Sequence, residues 1–218
     1  MPVSTSVVPL GGKPPGYFNH ARADLVARLP RPLGRVLDVG CGAGAVGAEL
    51  RAGGAEWLVG IELDPEAASS ANAVFDEIRA EDAVAAVRGL PDANFDTVVC
   101  YDILEHIFDP AAVLRELRRV IVPGGHLHVS VPNARHASLF RDLYLKGTFG
   151  YTAWGHRDST HIRWFTRRDL ERLLNECGWI ITEVSTHPFK PYRAALSRLT
   201  GGALRELFAV QWFVLCRA

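Results

Sequence analysis

The chain has 218 residues, 48% of them hydrophobic and 22% charged, which suits one full-sized globular domain and excludes a disordered, collagen-like or disulfide-stapled chain. Its 24 basic and 24 acidic residues cancel, so the simplest charge argument for a nucleic-acid binder is absent. The cancellation hides a split: residues 1–130 hold 11 Lys/Arg against 17 Asp/Glu, and residues 131–218 hold 13 against 7.

Residues 1–15 are rich in Pro and Gly and read as a flexible arm. A helix is expected over 16–29, ended by Pro30 and Pro32. Arg35 to Val39 is a short apolar strand, Ala43 to Ala52 a helix, and Gly53-Gly54 its stop. Trp57 to Ile61 is a second strand. The next helix runs from Pro65 to about Asn72, with Asp64 as its cap. Phe75 to Arg79 is a third strand, and Asp82 to Arg88 a short helix. Phe95 to Tyr101 is a strong fourth strand. Val113, Leu114, Leu117 and Val120 line one face of a helix over 110–120. Pro123-Gly124-Gly125 reads as a turn before a fifth strand, His126 to Val131. His126 and His128 alternate on that strand and suit packing or surface roles.

The rhythm then breaks. Residues 133–165 are aromatic and basic without clean periodicity, which marks an insert or lid. A helix over 166–177 follows, capped by Thr166 and closed by Gly178. A sixth strand is expected over 179–186 and a helix over 193–207, broken near Gly201-Gly202. A seventh strand over 210–216 would run antiparallel to the sixth. Strands separated by helices imply a mostly parallel sheet with right-handed crossovers. Cys41, Cys100, Cys177 and Cys216 form no C-x-x-C pair, so a zinc ribbon or redox dithiol is not expected. No stretch reaches the roughly 18 apolar residues of a membrane span, and no secretory pattern opens the chain. A cytoplasmic protein, monomeric or homodimeric, is the expectation.

The chemistry centres on Asp38-Val39-Gly40-Cys41-Gly42-Ala43-Gly44, between the first strand and its helix. Alternate glycines let the backbone turn sharply beside a ligand, with its amides facing a polar group at the helix N-terminus. Gly40-x-Gly42-x-x-Ala45 also fits the loose dinucleotide pattern. Asp38 separates the two ligand classes. It would repel a pyrophosphate and suits a cationic amino-acid moiety, as in S-adenosylmethionine (SAM).

The run VLDVGCGAG resembles motif I of class I SAM-dependent methyltransferases. Glu62 in GIELD, Asp82 after the third strand, Phe95-Asp96, the run Tyr101-Asp102-Ile103-Leu104-Glu105-His106 and Pro123-Gly124-Gly125 resemble the later motifs. Ser130 to Asn133 and the run Thr160 to Thr166 resemble a bacterial subgroup related to the ubiquinone-biosynthesis and saccharide or natural-product O-methyltransferases. The resemblance spans about residues 16–217. It implies a Rossmann-like α/β sandwich with sheet order 3-2-1-4-5-7-6 and one domain over 16–218, with 133–165 on the acceptor side.

It also implies cofactor contacts at Asp38, Gly40, Cys41, Gly42, Gly44, Glu62, Leu63, Asp82, Tyr101 and Asp102, with SAM as methyl donor and S-adenosylhomocysteine as product. Tyr17 and His20 would close over the methionine end. His161 and His106 are the candidate bases, since histidine titrates near neutrality. Tyr151, His156 and Arg163 are candidate acceptor contacts. No His/Asp/Glu set shows metal-ligand spacing along the chain, so no metal is expected. The basic half suggests a small-molecule or saccharide acceptor carrying phosphate or carboxylate, methylated at oxygen. Methylation at carbon or nitrogen, or a non-catalytic SAM-binding module, are the alternatives. No nucleic-acid partner is expected.

Overall fold

The computed structural model describes residues 16–202 and 204–218; the expected arm over 1–15 lies outside them. The strands are β1 (Arg35–Val39), β2 (Trp57–Ile61), β3 (Glu77–Arg79), β4 (Phe95–Tyr101), β5 (Ile121–Pro132), β6 (Ile180–Ser185) and β7 (Gln211–Arg217). They form one sheet in the order β3-β2-β1-β4-β5-β7-β6. β7 is antiparallel to both β5 and β6, and the other pairs are parallel. The helices are α1 (Ala23–Val26), α2 (Ala45–Ala52), α3 (Pro65–Ala71), α4 (Ala83–Arg88), α5 (Pro110–Val120), α6 (Ala137–Phe140), α7 (Arg167–Glu176), α8 (Pro191–Leu199) and α9 (Arg205–Phe208).

Both faces of the sheet are covered, so the central strands are apolar on both sides. Strand periodicity divides them between two cores. Leu37, Val39, Val98 and Cys100 pack with α4 and α5 residues such as Val87, Leu114 and Leu117. Val36, Leu58, Val99 and Tyr101 pack on the other face with Leu25, Leu50 and Phe213. Caps fix the helix starts: Asp64 accepts from the Glu66 and Ala67 amides, Asp109 from Ala112 and Thr166 from Asp169.

Three expectations change. Residues 16–29 do not make one helix; only Ala23–Val26 is helical. The Phe18 carbonyl accepts from the Ala43 amide, which draws the segment before α1 across the glycine loop. The third strand starts at Glu77 because the Asp76 carboxylate is taken by the Leu58 amide and Arg51. Pro123-Gly124-Gly125 lies inside β5, where the register jumps from Phe95↔Ile121 to Thr97↔His126. The helix expected over 193–207 breaks where it was expected to, into α8 and α9, with Gly201 and Gly202 at φ of +59° and +87°. No helix among the described residues is long and apolar enough to cross a membrane.

Candidate active site

The sheet order reverses between β1 and β4, and a cavity of about 1010 Å³ opens at the carboxyl ends of these strands. This is the crevice where open α/β sheets bind ligands. Asp38, Gly40, Cys41, Gly42, Glu62, Leu63 and Asp82 line one side. Asp38 is 1% exposed, and no donor among the described residues reaches its Oδ2. Burial, reinforced by Glu62, pushes its carboxyl up to about 8. A buried carboxylate oxygen without a partner is costly unless a ligand supplies the donor.

The glycine loop departs from expectation in one respect. Every amide from Gly40 to Gly44 donates within the protein. Gly40 and Cys41 donate to the Ile61 carbonyl, Ala43 to Phe18 and Gly44 to Cys41. Gly42 donates to Glu62 Oε2 at 2.9 Å. The loop therefore offers no nest of amides to a pyrophosphate. It offers close backbone approach beside two carboxylates, which favours a cation. Gly42 has φ +54°, and a Cβ there would sit 2.6 Å from the Phe18 carbonyl oxygen. Glu62 Oε1 accepts from the Asp64 amide at 2.8 Å, so both its oxygens are anchored with lone pairs to spare. Burial pushes the Glu62 carboxyl up. Asp82 lies at the rim, and its Oδ1 caps α4 through the Val84 and Ala85 amides.

The segment before α1 walls a second side, with Tyr17, Phe18, His20 and Arg22 on the cavity. Arg22 was not singled out from the sequence, because a regular helix gives it no special place. It pairs with the Asp102 carboxylate and donates to Gln211 Oε1 at 3.2 Å. Asp102, at φ +53°, also accepts from the Ser130 hydroxyl at 2.9 Å and the Gln211 amide at 2.7 Å. Its side chain thus ties β4, β5, β7 and the N-terminal segment together. Tyr101 is on the wall too, but its hydroxyl meets buried His128 Nδ1 at 2.9 Å. Tyr17 reaches across to the insert, where its hydroxyl bonds the Thr160 and Asp158 side chains; burial and Asp158 push it up.

The third side is built from the loop after β4 and the insert. The Ile162 and Arg163 amides both donate to the Glu105 carbonyl, which pins the insert to that loop. The contact brings Glu105, His106 and His161 onto the cavity, with the two rings edge-to-face at 4.7 Å. His106 Nδ1 lies 3.2 Å from the Thr160 carbonyl oxygen and 3.1 Å from the Thr160 hydroxyl. Glu105 is 1% exposed, and neither carboxylate oxygen has a hydrogen-bond partner among the described residues. His161 Nε2 is 3.9 Å from Glu105 Oε1. Burial and Asp102 push Glu105 well above the usual carboxylate range. Glu105 was visible within its motif, but nothing in the spacing showed it buried and facing His161, 56 positions away.

One ligand atom from each of Glu105, His106 and His161 falls within 4.8 Å of the others. The expectation that no set has metal-ligand spacing is thereby corrected: the set is assembled by the fold. His156 also lines the cavity; its Nε2 lies 2.7 Å from the Val210 carbonyl oxygen, and burial pushes it down. Three candidates lie off the cavity wall. Gly44 turns toward Ala71 and Val74. Tyr151 is exposed and packs on Phe149. Arg163 covers the Phe108 ring and donates to its carbonyl. Among the described residues the wall is acidic, with Asp38, Glu62, Glu81, Asp82, Asp102, Glu105 and Asp158 against the guanidinium of Arg22. The basic half of the chain does not supply an anion pocket here.

The fold and this crevice define a class I, Rossmann-like SAM-dependent methyltransferase. The family model described as a methyltransferase domain matches residues 16–184. The chain is 36% identical over 188 residues to the ubiquinone biosynthesis O-methyltransferase of Xanthomonas oryzae pv. oryzae (strain PXO99A), covering 83% of this chain and 77% of that one. It is 30% identical over 188 residues to the protein of that name from Xylella fastidiosa (strain 9a5c), covering 83% and 75%. An S-adenosylmethionine-dependent methyltransferase from Mesorhizobium loti shares the fold at a TM-score of 0.64 and 22% identity, covering 89% of this chain and 96% of that one. The chain belongs to the methyltransferase domain family and is a SAM-dependent methyltransferase.

Proposed function

We propose that the enzyme methylates a hydroxyl oxygen of a small-molecule or sugar-containing acceptor, with His161 or His106 taking the hydroxyl proton. The observation that carries this reading is one cavity with an unpartnered buried carboxylate, Asp38, at its cofactor side and a cluster of buried Glu105 and His161 with half-buried His106 on its insert side. The relatives are named as O-methyltransferases of ubiquinone biosynthesis, which supports oxygen as the acceptor atom. When bound, SAM supplies an electrophilic methyl group on a positively charged sulfur. Asp38 suits its ammonium, Glu62 its ribose hydroxyls, and Leu63 and Asp82 its adenine. Tyr17, bonded to the insert, and Arg22, locked on Asp102, hold the N-terminal wall over the site. Holding acceptor and donor aligned supplies much of the rate. Residues 16–218 act as one domain, with 133–165 as the acceptor-side wall. The acidic lining favours a neutral acceptor over the anionic one that the charge split suggested.

A second reading rests on the unpartnered Glu105. A divalent cation held by Glu105, His106 and His161 would lower the acceptor hydroxyl's pKa, so that solvent water could take its proton in place of a histidine. Transfer of labelled methyl from SAM to a panel of hydroxyl acceptors, before and after chelation, tests both. If a histidine is the base, activity survives chelation, and either His161→Gln or His106→Gln lowers kcat by about 100-fold or more with SAM affinity kept. Loss on chelation with rescue by added Mg²⁺ or Mn²⁺ selects the cation. Methyl transfer only to carbon or nitrogen acceptors contradicts both.

A further inference from the structure

Two histidines share the acceptor side of the cavity, and their surroundings differ. His106 Nδ1 meets two oxygens of one residue, the Thr160 carbonyl at 3.2 Å and the Thr160 hydroxyl at 3.1 Å. That hydroxyl also lies 2.7 Å from Asp158 Oδ1, which accepts from the Thr160 amide at 2.9 Å. Asp158 is 2% exposed and lines the same cavity as His106. The Tyr17 hydroxyl closes the group by bonding the Asp158 and Thr160 side chains. A chain of hydrogen bonds therefore runs from a buried carboxylate, through one hydroxyl, to a ring on the cavity wall. His161, by contrast, has its Nε2 toward the Glu105 carboxyl, 3.9 Å from Oε1.

Counting protons gives the chain its direction. The Thr160 hydroxyl has one proton to donate, and an ionised carboxylate can only accept. If that proton went to His106, the Thr160 and Asp158 oxygens would face each other at 2.7 Å with no proton between them. The Nδ1 lone pair would then also lie against the Thr160 carbonyl oxygen. If the proton goes to Asp158, both conflicts vanish, and Nδ1–H donates to the Thr160 oxygens. The neutral ring then keeps its lone pair on Nε2, because the bond made by one ring nitrogen sets the state of the other.

We propose that His106 is the base of the reaction and that Asp158, acting through the Thr160 hydroxyl, is its positioning residue, holding the ring in the Nδ1–H tautomer. The proposal rests on the reading of methyl transfer to a hydroxyl. His106 Nε2 takes the hydroxyl proton as the acceptor oxygen bonds the methyl carbon and the carbon–sulfur bond breaks, its electron pair staying on sulfur. The positive charge lost by the sulfonium appears on the ring, where the Asp158 carboxylate offsets it across one hydroxyl.

Ring-nitrogen NMR of the isotope-labelled full chain, without SAM, reads the tautomer directly. The His106 signal is the one that His106→Gln lacks. At about pH 8.5, above the ordinary histidine value of about 6.5, the wild-type ring should show a protonated Nδ1 and a bare Nε2. Asp158→Ala frees the Thr160 proton for Nδ1 and should move the ring mostly to the Nε2–H form. Asp158→Asn keeps an accepting oxygen without the charge and should keep the wild-type tautomer. With a chelator present, kcat should fall by about 100-fold in Asp158→Ala and about tenfold in Asp158→Asn, with both KM values little changed. Thr160→Val keeps the shape of the side chain and should lower kcat by about tenfold, and Thr160→Ser should restore it. The proposal is overturned if the wild-type ring carries its proton on Nε2, if Thr160→Val and Thr160→Ser are equally active, or if the variants change KM alone. Loss of wild-type activity to the chelator, or transfer only to carbon or nitrogen acceptors, also overturns the base role. Those two outcomes leave the ring signature as stated, which marks them as failures of the hydroxyl reading.

Discussion

Asp38 and Glu105 are both carboxyl groups, both 1% exposed, and both on the wall of one cavity. The first was legible because it belongs to a contiguous run with the glycines of its loop. The second was not, because its burial and its neighbour His161 come from the insert folding back. Arg22 was hidden for a related reason: its role depends on the Phe18–Ala43 hydrogen bond that diverts the chain from a helix. The placing of Tyr151 and Arg163 on the acceptor followed residue type, and neither side chain lines the cavity. The raised Asp38 pKa gives a signed prediction. Below about 8 the free carboxyl is protonated, and a bound ammonium favours the ionised form, so SAM binding releases a proton. Affinity should rise by up to about tenfold per pH unit below that value and fall again above it, where the α-amino group of SAM, with a pKa of about 8, loses its proton. Titration from neutral to alkaline pH checks this; a flat profile counts against Asp38 as the ammonium partner. At Gly42 an alanine methyl meets the Phe18 carbonyl and a left-handed φ. Gly42→Ala should weaken SAM binding by about tenfold or more, through a displaced N-terminal wall and about 1–2 kcal/mol of strain.

At the scale of elements, the strands and caps were read well because each is encoded locally. β2 and β4 match their expected bounds, since parallel strands buried on both faces are plain apolar runs. The insert could not be read so. Its shape rests on distant pairs, such as Asn133 with Phe165 and Arg163 with Glu105, that no periodicity announces. The β4–β5 pair carries one more feature. Buried His128 accepts or donates to Tyr101, and burial together with Arg28 and Arg22 pushes its pKa down to about 4. The histidine therefore favours the folded state only while neutral. That contribution is present above its unfolded value near 6.5 and is lost as pH falls toward 4, about 3 kcal/mol in all. His128→Gln keeps a neutral hydrogen-bonding side chain. Its unfolding free energy, measured by denaturant between those pH values, should vary less than that of the wild type by about that amount. Equal slopes for the two proteins exclude His128 as the source.

For the whole molecule, the sheet order and the position of the crevice followed from the alternation of strands and helices. The charge split had a different meaning from the one first expected. The acidic half does carry Asp38, Glu62 and Asp82, but the insert wall adds Asp158 to the same cavity, and no arginine of the basic half among the described residues lines it. Net charge by sequence halves cannot distinguish a cavity wall from the outer face of the same segment. The central claim is that the unpartnered Asp38 carboxylate holds the cofactor's cation in this crevice. Isothermal titration of SAM into the wild type and into Asp38→Asn, at one pH near 8, tests it most directly. The account predicts saturable one-site binding by the wild type and a loss of about 30-fold or more in the variant, with melting temperature maintained. Absence of SAM binding by the wild type, or equal affinity in the two proteins, would contradict it.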